Sequence, residues 1–440
     1  MAAKTLEIRP ALSLLDDASK AKDTVTITTV ELEPESEVVE IVPKGRDAVA
    51  ITQELQQLSA AIAQHDEQAQ AQALSLAREL TATLTNPPDR AMEIIFTPFV
   101  SSAVQSAVRM GIFEVLAKRQ GCTMATSEVA KSCAAEELLV GRILRLLAGM
   151  QFVQEDSRGS WKANETTQVM ASPAMAAGHR FVWDIQMEGT IKSPQYLEES
   201  GFVGPTEPTN GFIQYANRTK LDVFEYMAKV RPDRLRDFHL FMGNTGTGPY
   251  WVDWFPVQEQ LLAGYDGQSP LLVDLGGGKG HDILSFANNF PSAPDQLILQ
   301  DIEPALATIS VSDRDPRITY MAQDFFAPNQ VVGARTYFLH HIFHDWSDKY
   351  ALKILSHLRH AMKPGYSKLL IHDLILPDEG TSQYLAAWDM VMMTFNAGIE
   401  RSRQQWEALL QKAGFRIEGF WFGQQGDQGD GILQAVVDVQ

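Results

Sequence analysis

Cysteine and basic charge are both scarce in this 440-residue sequence. Its two cysteines, Cys122 and Cys133, lie in no CxxC pair and have no histidine at metal-ligand spacing. This argues against a disulfide framework and against a zinc site built on cysteine. The 37 basic and 55 acidic side chains give a net charge of −18, which would repel a phosphate backbone. We therefore expect no nucleic-acid partner.

The sequence also lacks the uncharged apolar run of ~20 residues that a membrane-spanning helix needs. Its N-terminus lacks the apolar core of a secretory signal. We expect a cytoplasmic protein with no membrane partner. Hydrophobic residues make up 45% of the chain, which at this length is enough to bury the cores of two domains.

The N-terminal part of the chain divides into an arm and a helical domain. Residues 1–45 mix acids with valine and threonine without a helical period, which predicts an arm or linker. Residues 46–192 are mostly helical in pattern, beginning with one long helix from Asp47 to Leu84. Short helices followed by the strand-like runs FVQED and SRGSW are typical of a winged helix. Such domains usually bind DNA, but the acidic charge favours packing against a partner subunit.

Residues 193–440 form the second predicted domain. From Leu271 onward, apolar runs alternate with helical segments, beginning with LLVDLG, LILQDI and RITYMAQDFF. This alternation predicts an α/β fold with a doubly wound parallel sheet covered on both faces. The last two runs, RIEGFWFG and ILQAVVDV, have no helix between them, so we expect them to form an antiparallel hairpin.

A glycine-rich loop follows the first of these strands and contains Gly276, Gly277 and Gly278. Glycines at a strand's carboxyl end let a ligand approach the backbone closely. The loop matches neither the dehydrogenase pattern GxGxxG nor a Walker A loop. Taken alone, the loop is better explained as a glycine turn that only packing requires.

Two acidic residues at later strand ends favour a nucleoside site. Asp301 ends the second strand about twenty residues after the loop, where a carboxylate can accept both hydroxyls of a ribose. Asp324, followed by Phe325, is expected to end the third strand, where it could bind an adenine amino group beside an aromatic face. Either acid alone would more often be a cap or turn residue.

Three histidines, His340, His341 and His344, lie in the segment YFLHHIFHDWSD. His340 and His344 are four residues apart, but no HExxH glutamate accompanies them, and we predict no metal. Core or capping roles remain open for His340 and His341. Asp373 and Glu400 are expected to converge on His344 from neighbouring strand ends, which is the arrangement of a base oriented by a carboxylate. Each acid judged alone would more often be a strand-end or helix-capping residue.

From about residue 90 to the C-terminus, the chain resembles the plant-type small-molecule O-methyltransferases, which include caffeic acid and flavonoid enzymes and many fungal secondary-metabolite members. The motifs that carry the resemblance are VDLGGGKG, LQDIEPAL, AQDFF, HDWSD, LLIHDLILP, NAGIERS and WEALLQKAGF. It implies a class I methyltransferase Rossmann-like sheet and a winged-helix domain that interlocks a homodimer.

The resemblance also implies roles for individual residues. The S-adenosyl-L-methionine site would comprise Gly276, Gly277, Gly278, Asp301, Asp324, Phe325 and His340. His344 would be the general base, bracketed by Asp373 and Glu400. The family often has Lys or Arg where His340 stands, and Asp373 replaces a commoner Glu.

A methionine-rich stretch, WDMVMMTF, resembles the acceptor wall of the family and contains Met392 and Phe395. Met242 and Trp183 are predicted to face the same cavity. From the residues alone, most of these side chains are better explained as helix core. A pocket of this kind suits a flat aromatic or polyketide acceptor.

The predicted function is therefore methyl transfer to a phenolic or enolic hydroxyl, with His344 accepting the proton. The alternative is a cofactor-bound dehydratase or pericyclase that does not transfer the methyl and uses the sulfonium charge only electrostatically. A non-enzymatic dimer is disfavoured by the intact site.

Overall fold

The computed structural model describes residues 46–119, 121–243, 250–294, 296–423 and 429–438, so the arm predicted at residues 1–45 lies outside the described residues. The chain separates into two compact units, one up to Ile95 and one from Phe96 onward. The domain boundaries predicted at residues 45 and 192 stay predictions.

The first unit contains a helical hairpin rather than one long helix. Helix α1 (Ala48–Ala63) ends before His65, whose φ of 60° turns the chain, and α2 (Glu67–Leu84) begins after Asp66. The Asp66 carboxylate accepts the N–H of Ala69 at 2.9 Å and so caps α2. The prediction of a single helix over residues 47–84 was wrong, because a good N-cap lies in the middle of a continuous helical composition.

Helix α3 (Pro87–Met110) follows and crosses the boundary between the two units. In the part of the chain that the structure describes, it is the one helix long and apolar enough to cross a membrane, by length and composition only. Its apolar side chains are largely exposed, including Ile94 and Phe99. A helix that packs against another protein chain has the same character.

The second unit begins with the predicted winged helix. Helices α4 (Ile112–Ala117), α5 (Thr126–Ser132) and α6 (Glu137–Gly149) accompany three strands: β1 (Met124–Ala125), β2 (Gln154–Ser157) and β3 (Ser160–Lys162). The strands form an antiparallel sheet of order β1-β3-β2. Phe113, Leu144 and Trp161 are buried in its core.

A helical segment connects this domain to the large sheet. It comprises α7 (Glu165–Met170), α8 (Pro173–Phe181), a π-helical turn (Val182–Gln186), α9 (Met187–Glu199), α10 (Phe212–Asn217), α11 (Val223–Lys229) and α12 (Pro232–Met242). A 3₁₀ turn (Trp251–Asp253) and a π-helical turn (Gln258–Leu262) precede the sheet.

The large sheet contains β4 (Leu272–Leu275), β5 (Leu297–Asp301), β6 (Ile318–Ala322), β7 (Thr336–His340), β8 (Lys368–Leu376), β9 (Arg401–Ser402), β10 (Arg416–Phe422) and β11 (Gly429–Val436). The order is β10-β11-β8-β7-β4-β5-β6, with β9 paired to β8. The strands are parallel except β10 and β11, which form the predicted antiparallel hairpin.

Helices cover both faces of this sheet, as the sequence predicts. They are α13 (His281–Asn289) and α14 (Glu303–Leu306) on one face and α15 (Asp348–Ala361) and α17 (Arg403–Ala413) on the other. Helix α16 (Gln383–Asn396) packs instead against α9, α10 and the first π-helical turn. Consecutive strand residues enter opposite cores: Val273 packs with Leu355 of α15, and Leu272 packs with Phe286 of α13. This alternation is the period-2 pattern of a strand buried on both sides.

The strand order reverses beside β4, which lies between β5 and β7. The chain builds outward from β4 to β6 and then returns to place β7 on the other side. In open α/β sheets, ligands bind at such a switch point, outside the carboxyl ends of the strands.

Candidate active site

The glycine-rich loop lies at this switch point, between β4 and α13. Gly276 and Gly278 have φ angles of 79° and 57°, a region that L side chains rarely adopt. A Cβ at Gly276 would lie 2.6 Å from Ile342, and one at Gly277 would lie 2.4 Å from the Asp274 carboxylate. A Cβ at Gly278 would meet no atom within 4 Å, so that side of the loop can receive a ligand.

Asp301 ends β5, as predicted, and is tied to this loop. Its Oδ2 accepts the N–H of Gly278 at 2.8 Å, and its Oδ1 accepts the N–H of Ile302 at 2.7 Å. Each carboxylate oxygen has further acceptor capacity, which suits the two hydroxyls of a ribose. Burial raises the pKa of Asp301, and the two backbone hydrogen bonds oppose that rise.

Asp324 does not end β6, because that strand stops at Ala322. The side chain of Asp324 accepts the N–H of Phe326 at 2.8 Å in the turn beyond the strand. The Phe325 ring lies beside the loop, with Cε1 3.9 Å from where a Cβ of Gly276 would be. The aromatic ring therefore borders the glycine-rich loop, and the exposed Asp324 precedes it in the same turn.

His344 and Glu400 form a buried hydrogen-bonded pair. His344 lies in the 3₁₀ turn Phe343–Asp345 after β7, and its Nδ1 is 2.9 Å from Oε1 of Glu400. His344 is 9% exposed and Glu400 is 1% exposed. The Glu400 backbone N–H donates to Asp389 at 2.9 Å, which fixes the segment that carries the carboxylate. When Glu400 is ionised, Nδ1–H donates to it and Nε2 is the nitrogen that can accept a proton.

Asp373 lies inside β8 rather than at its end, since the strand continues to Leu376. It is 1% exposed, and neither carboxylate oxygen has a hydrogen-bond partner among the described residues. Burial raises its pKa to about 7. Asp373 is near enough for its charge to favour the protonated form of His344, but it does not hold the ring as Glu400 does.

Burial sets the protonation of this pair. It lowers the pKa of His344 and raises that of Glu400 to about 8. Asp345, whose Oδ1 is 3.9 Å from Nε2 of His344, has its pKa raised to about 6 for the same reason. His344 is therefore neutral at neutral pH, as a general base must be.

The other two histidines bind different carboxylates. Nδ1 of His340 is 2.9 Å from Oδ2 of Asp282 at the start of α13. His341 has a left-handed φ of 51°, contacts Asp430 through Nε2 at 3.2 Å, and stacks on His344 with ring centroids 5.0 Å apart. Thus His340 and His344, four apart in sequence, do not converge on a common point.

Sequence reasoning missed three residues in this region: Asp282, His372 and Asp430. His372 is the register partner of His340 on β8, and their rings stack at 3.8 Å. The signal was in the sequence, because the runs YFLH and LLIH each bring a histidine toward the same end of a parallel strand. Asp430 could not be placed in this way, since its strand runs antiparallel and its register is set by the fold.

The predicted acceptor residues occupy varied environments. Phe395 is 3% exposed and packs in an aromatic cluster with Phe181, Phe224 and Phe238, and Met392 is also buried. Trp183 lies in the π-helical turn that packs against α16. Met242 ends α12 and is 43% exposed.

Comparison with known proteins gives the family. Residues 92–172 match the model of the O-methyltransferase dimerisation domain, and residues 253–416 match that of the O-methyltransferase domain. O-methyltransferase penC of Penicillium thymicola is 37% identical over 84% of this chain and 92% of its own. The chain belongs to the O-methyltransferase family. Demethylsterigmatocystin 6-O-methyltransferase of Aspergillus flavus is 30% identical to this O-methyltransferase, over 77% of the chain and 86% of its own.

Two solved structures show the same fold with 26% identity and a TM-score of 0.79. One is LepI in complex with S-adenosylmethionine, and the other is described as a pericyclic reaction enzyme. They cover 89% of this chain and are themselves covered to 98% and 99%. The protein is thus an S-adenosylmethionine-dependent O-methyltransferase with the class I methyltransferase fold. The loop that only glycine can form and the Asp301 carboxylate at its edge fit that cofactor.

Proposed function

We propose that this O-methyltransferase methylates a phenolic or enolic hydroxyl of a small aromatic or polyketide natural product, with His344 as the general base. The single observation that carries the proposal is the buried hydrogen bond between His344 Nδ1 and Glu400. It fixes the imidazole so that Nε2 accepts the proton of the acceptor.

The proton transfer needs help from the site. A phenol of pKa ~10 giving its proton to an imidazole of ~6.5 is uphill by roughly 5 kcal/mol. Glu400 and Asp373 offset part of this cost because each carboxylate, when ionised, stabilises the imidazolium that forms. Burial excludes water and so strengthens the electrostatic interactions of the two carboxylates with the imidazolium. Positioning of the acceptor oxygen beside the methyl group supplies much of the rate.

S-adenosyl-L-methionine supplies an electrophilic methyl group when it is bound. In our proposal, Asp301 accepts the ribose hydroxyls, Gly276 to Gly278 allow close approach of the backbone, and Asp324 with Phe325 holds the adenine. His344 Nε2 accepts the acceptor proton, and the bound cofactor would supply its methyl group to the acceptor oxygen with its sulfur as the leaving group. The expected by-product is S-adenosylhomocysteine.

The acceptor class rests on the family and on the helices around His344. The relative in Aspergillus flavus is named for an O-methylation of demethylsterigmatocystin. We extend to this chain only the class of acceptor, with Trp183, Met242 and Met392 as wall residues and Phe395 supporting them from the aromatic cluster.

We also propose that the enzyme works as a homodimer in the cytoplasm. The matched dimerisation domain supports the homodimer, and so do the exposed apolar side chains of α3, such as Ile94 and Phe99. Light scattering at micromolar concentration tests it, and a monomer would contradict it.

The deciding experiment for the activity is incubation with methyl-labelled cofactor and a panel of phenolic polyketides, with S-adenosylhomocysteine as the readout. Labelled product with wild-type protein, and loss of label transfer in His344→Ala, are the expected results. The likeness to a pericyclic reaction enzyme makes ring closure the second candidate. That candidate predicts product formation with no S-adenosylhomocysteine, sustained by a cofactor analogue that keeps the charge but cannot transfer a methyl.

A further inference from the structure

A second cluster of chemically active side chains lies beside the catalytic pair, on strands β7, β8 and β11. These strands are adjacent in the sheet. His340 and His372 are register partners, and Asp430 is the second residue of β11 on the other side of β8. The fold therefore brings two imidazoles and one carboxylate to the same end of three neighbouring strands.

The distances within this cluster suit a metal ion. Oδ2 of Asp430 is 3.3 Å from Nε2 of His372 and 4.0 Å from Nε2 of His340. One ligand atom from each of the three residues lies within 4.8 Å of the other two. In a tetrahedral site with bonds of about 2.0–2.2 Å, the donor atoms are separated by roughly 3.3–3.6 Å. Small side-chain adjustments would bring all three donors to that spacing.

The imidazoles of this cluster have unused hydrogen-bonding atoms. Nδ1 of His372, which is 4% exposed, and Nε2 of His340 are buried without a hydrogen-bond partner among the described residues, and Nε2 of His372 faces only the Asp430 carboxylate at 3.3 Å. A buried polar atom without a partner costs free energy, so native structures usually provide one. A cation between His340, His372 and Asp430 would provide it.

Asp282 supplies the outer partner that such a site requires. It holds Nδ1 of His340 at 2.9 Å. That contact leaves Nε2 as the nitrogen for a metal. Histidines that bind metals almost always donate their other ring N–H to a carboxylate, carbonyl or water.

We propose that His340, His372 and Asp430 form a divalent-cation site, with Asp282 as its outer carboxylate. Two imidazoles and a carboxylate are donors that suit Zn²⁺. Three protein ligands leave a fourth position for an oxygen ligand, and Asp430 is exposed enough for an ion to enter. The proposal revises the sequence-based prediction of no metal, and it stands independently of the acceptor proposed above.

The imidazole of His341 lies between this site and the proposed base, His344. His341 contacts Asp430 at 3.2 Å and stacks on His344 at 5.0 Å. An ion bound here would add positive charge next to the imidazole that receives the proton.

Titration of the full-length, metal-free, untagged protein with Co²⁺, a spectroscopic substitute for Zn²⁺, tests the proposal. We expect one equivalent to bind, with visible absorption bands of a four- or five-coordinate ion that Zn²⁺ then abolishes by competition. His372→Gln and Asp430→Asn should lose this binding. Asp282→Asn should keep the stoichiometry and weaken the affinity by about 10–100-fold.

The matched control is His360→Gln, which removes an exposed histidine of α15 and should bind Co²⁺ like the wild type. Circular dichroism and cofactor titration show whether each variant is folded. The proposal is overturned if the wild type gives no such bands. It is also overturned if folded His372→Gln and Asp430→Asn bind Co²⁺ as tightly as the wild type.

Discussion

The Nδ1 atom of His344 lies 2.9 Å from Oε1 of Glu400, and both side chains are buried. The two residues are 56 positions apart in sequence and are joined by the fold alone. This pair orients the imidazole before any acceptor binds, and it gives the first prediction its physical basis.

His344→Ala should lower kcat by at least about 10²–10⁴-fold, the range for a positioned proton acceptor, because no other group replaces Nε2. The affinity for S-adenosylmethionine should stay near that of the wild type. Single-turnover rates and calorimetric titration measure the two effects separately. A loss of cofactor affinity equal to the loss of rate would assign His344 to binding instead.

Glu400→Gln should lower kcat far more than Asp373→Asn. Glu400 holds the ring, so its replacement permits the wrong tautomer, with an expected loss on the order of 10²-fold or more. Asp373 acts through its charge and has its pKa raised to about 7, so Asp373→Asn should cost less than about tenfold. Steady-state kinetics at saturating cofactor compares the two, and equal losses would contradict the asymmetry.

Activity should depend on pH through the neutral form of His344. Burial lowers the pKa of this histidine from its ordinary value of 6.5, so the neutral base persists to lower pH. The acid limb of kcat/KM should therefore have its midpoint below 6.5, with the rate rising as pH increases through it. A pH profile measured between about pH 5 and 9 tests this. An acid limb centred above 6.5 would contradict this, and one centred near 8 would assign the limiting ionisation to Glu400, which must be a carboxylate to accept Nδ1–H of His344.

Asp301→Ala should weaken S-adenosylmethionine binding strongly and leave the fold intact, because the ribose loses both acceptor oxygens at a preformed strand end. Asp313→Ala, at an exposed 3₁₀ turn, is the matched control and should bind normally. Calorimetric titration of both variants gives the answer. Unchanged affinity in Asp301→Ala would remove this carboxylate from the cofactor site.

Much of the fold follows from local sequence patterns. Apolar runs separated by helical segments predicted the doubly wound sheet, and the missing helix between the last two runs predicted the β10–β11 hairpin. The break between α1 and α2 was missed because Asp66 caps a helix within a composition that remains helical on both sides. Strand ends were also missed: β8 runs three residues past Asp373 because its partner strand β11 continues the pairing.

The candidate active site was predictable only in part, because some of its residues are brought together by tertiary contacts that the local sequence does not show. Residues such as Asp301 and His344 lie in motifs whose chemistry can be read along the chain. The roles of Asp282 and Asp430 depend on the histidines that they contact on other strands and turns, which the local sequence does not show. Phe395 shows the same limit, since its aromatic cluster is formed with rings of α8, α11 and α12, which lie far from it in sequence.

The close packing of Gly276 against Ile342 limits where the acceptor specificity of this enzyme can be changed by mutation. Ile342 is two residues before His344. The loop proposed to hold the cofactor therefore packs against the segment that carries the proposed base. A side chain at Gly276 would strain a backbone with φ of 79° and would displace the end of the Ile342 side chain. New acceptor preferences are better engineered on α12, because Asp389 and Asn396 of α16 bind the segments that carry Glu400 and His344.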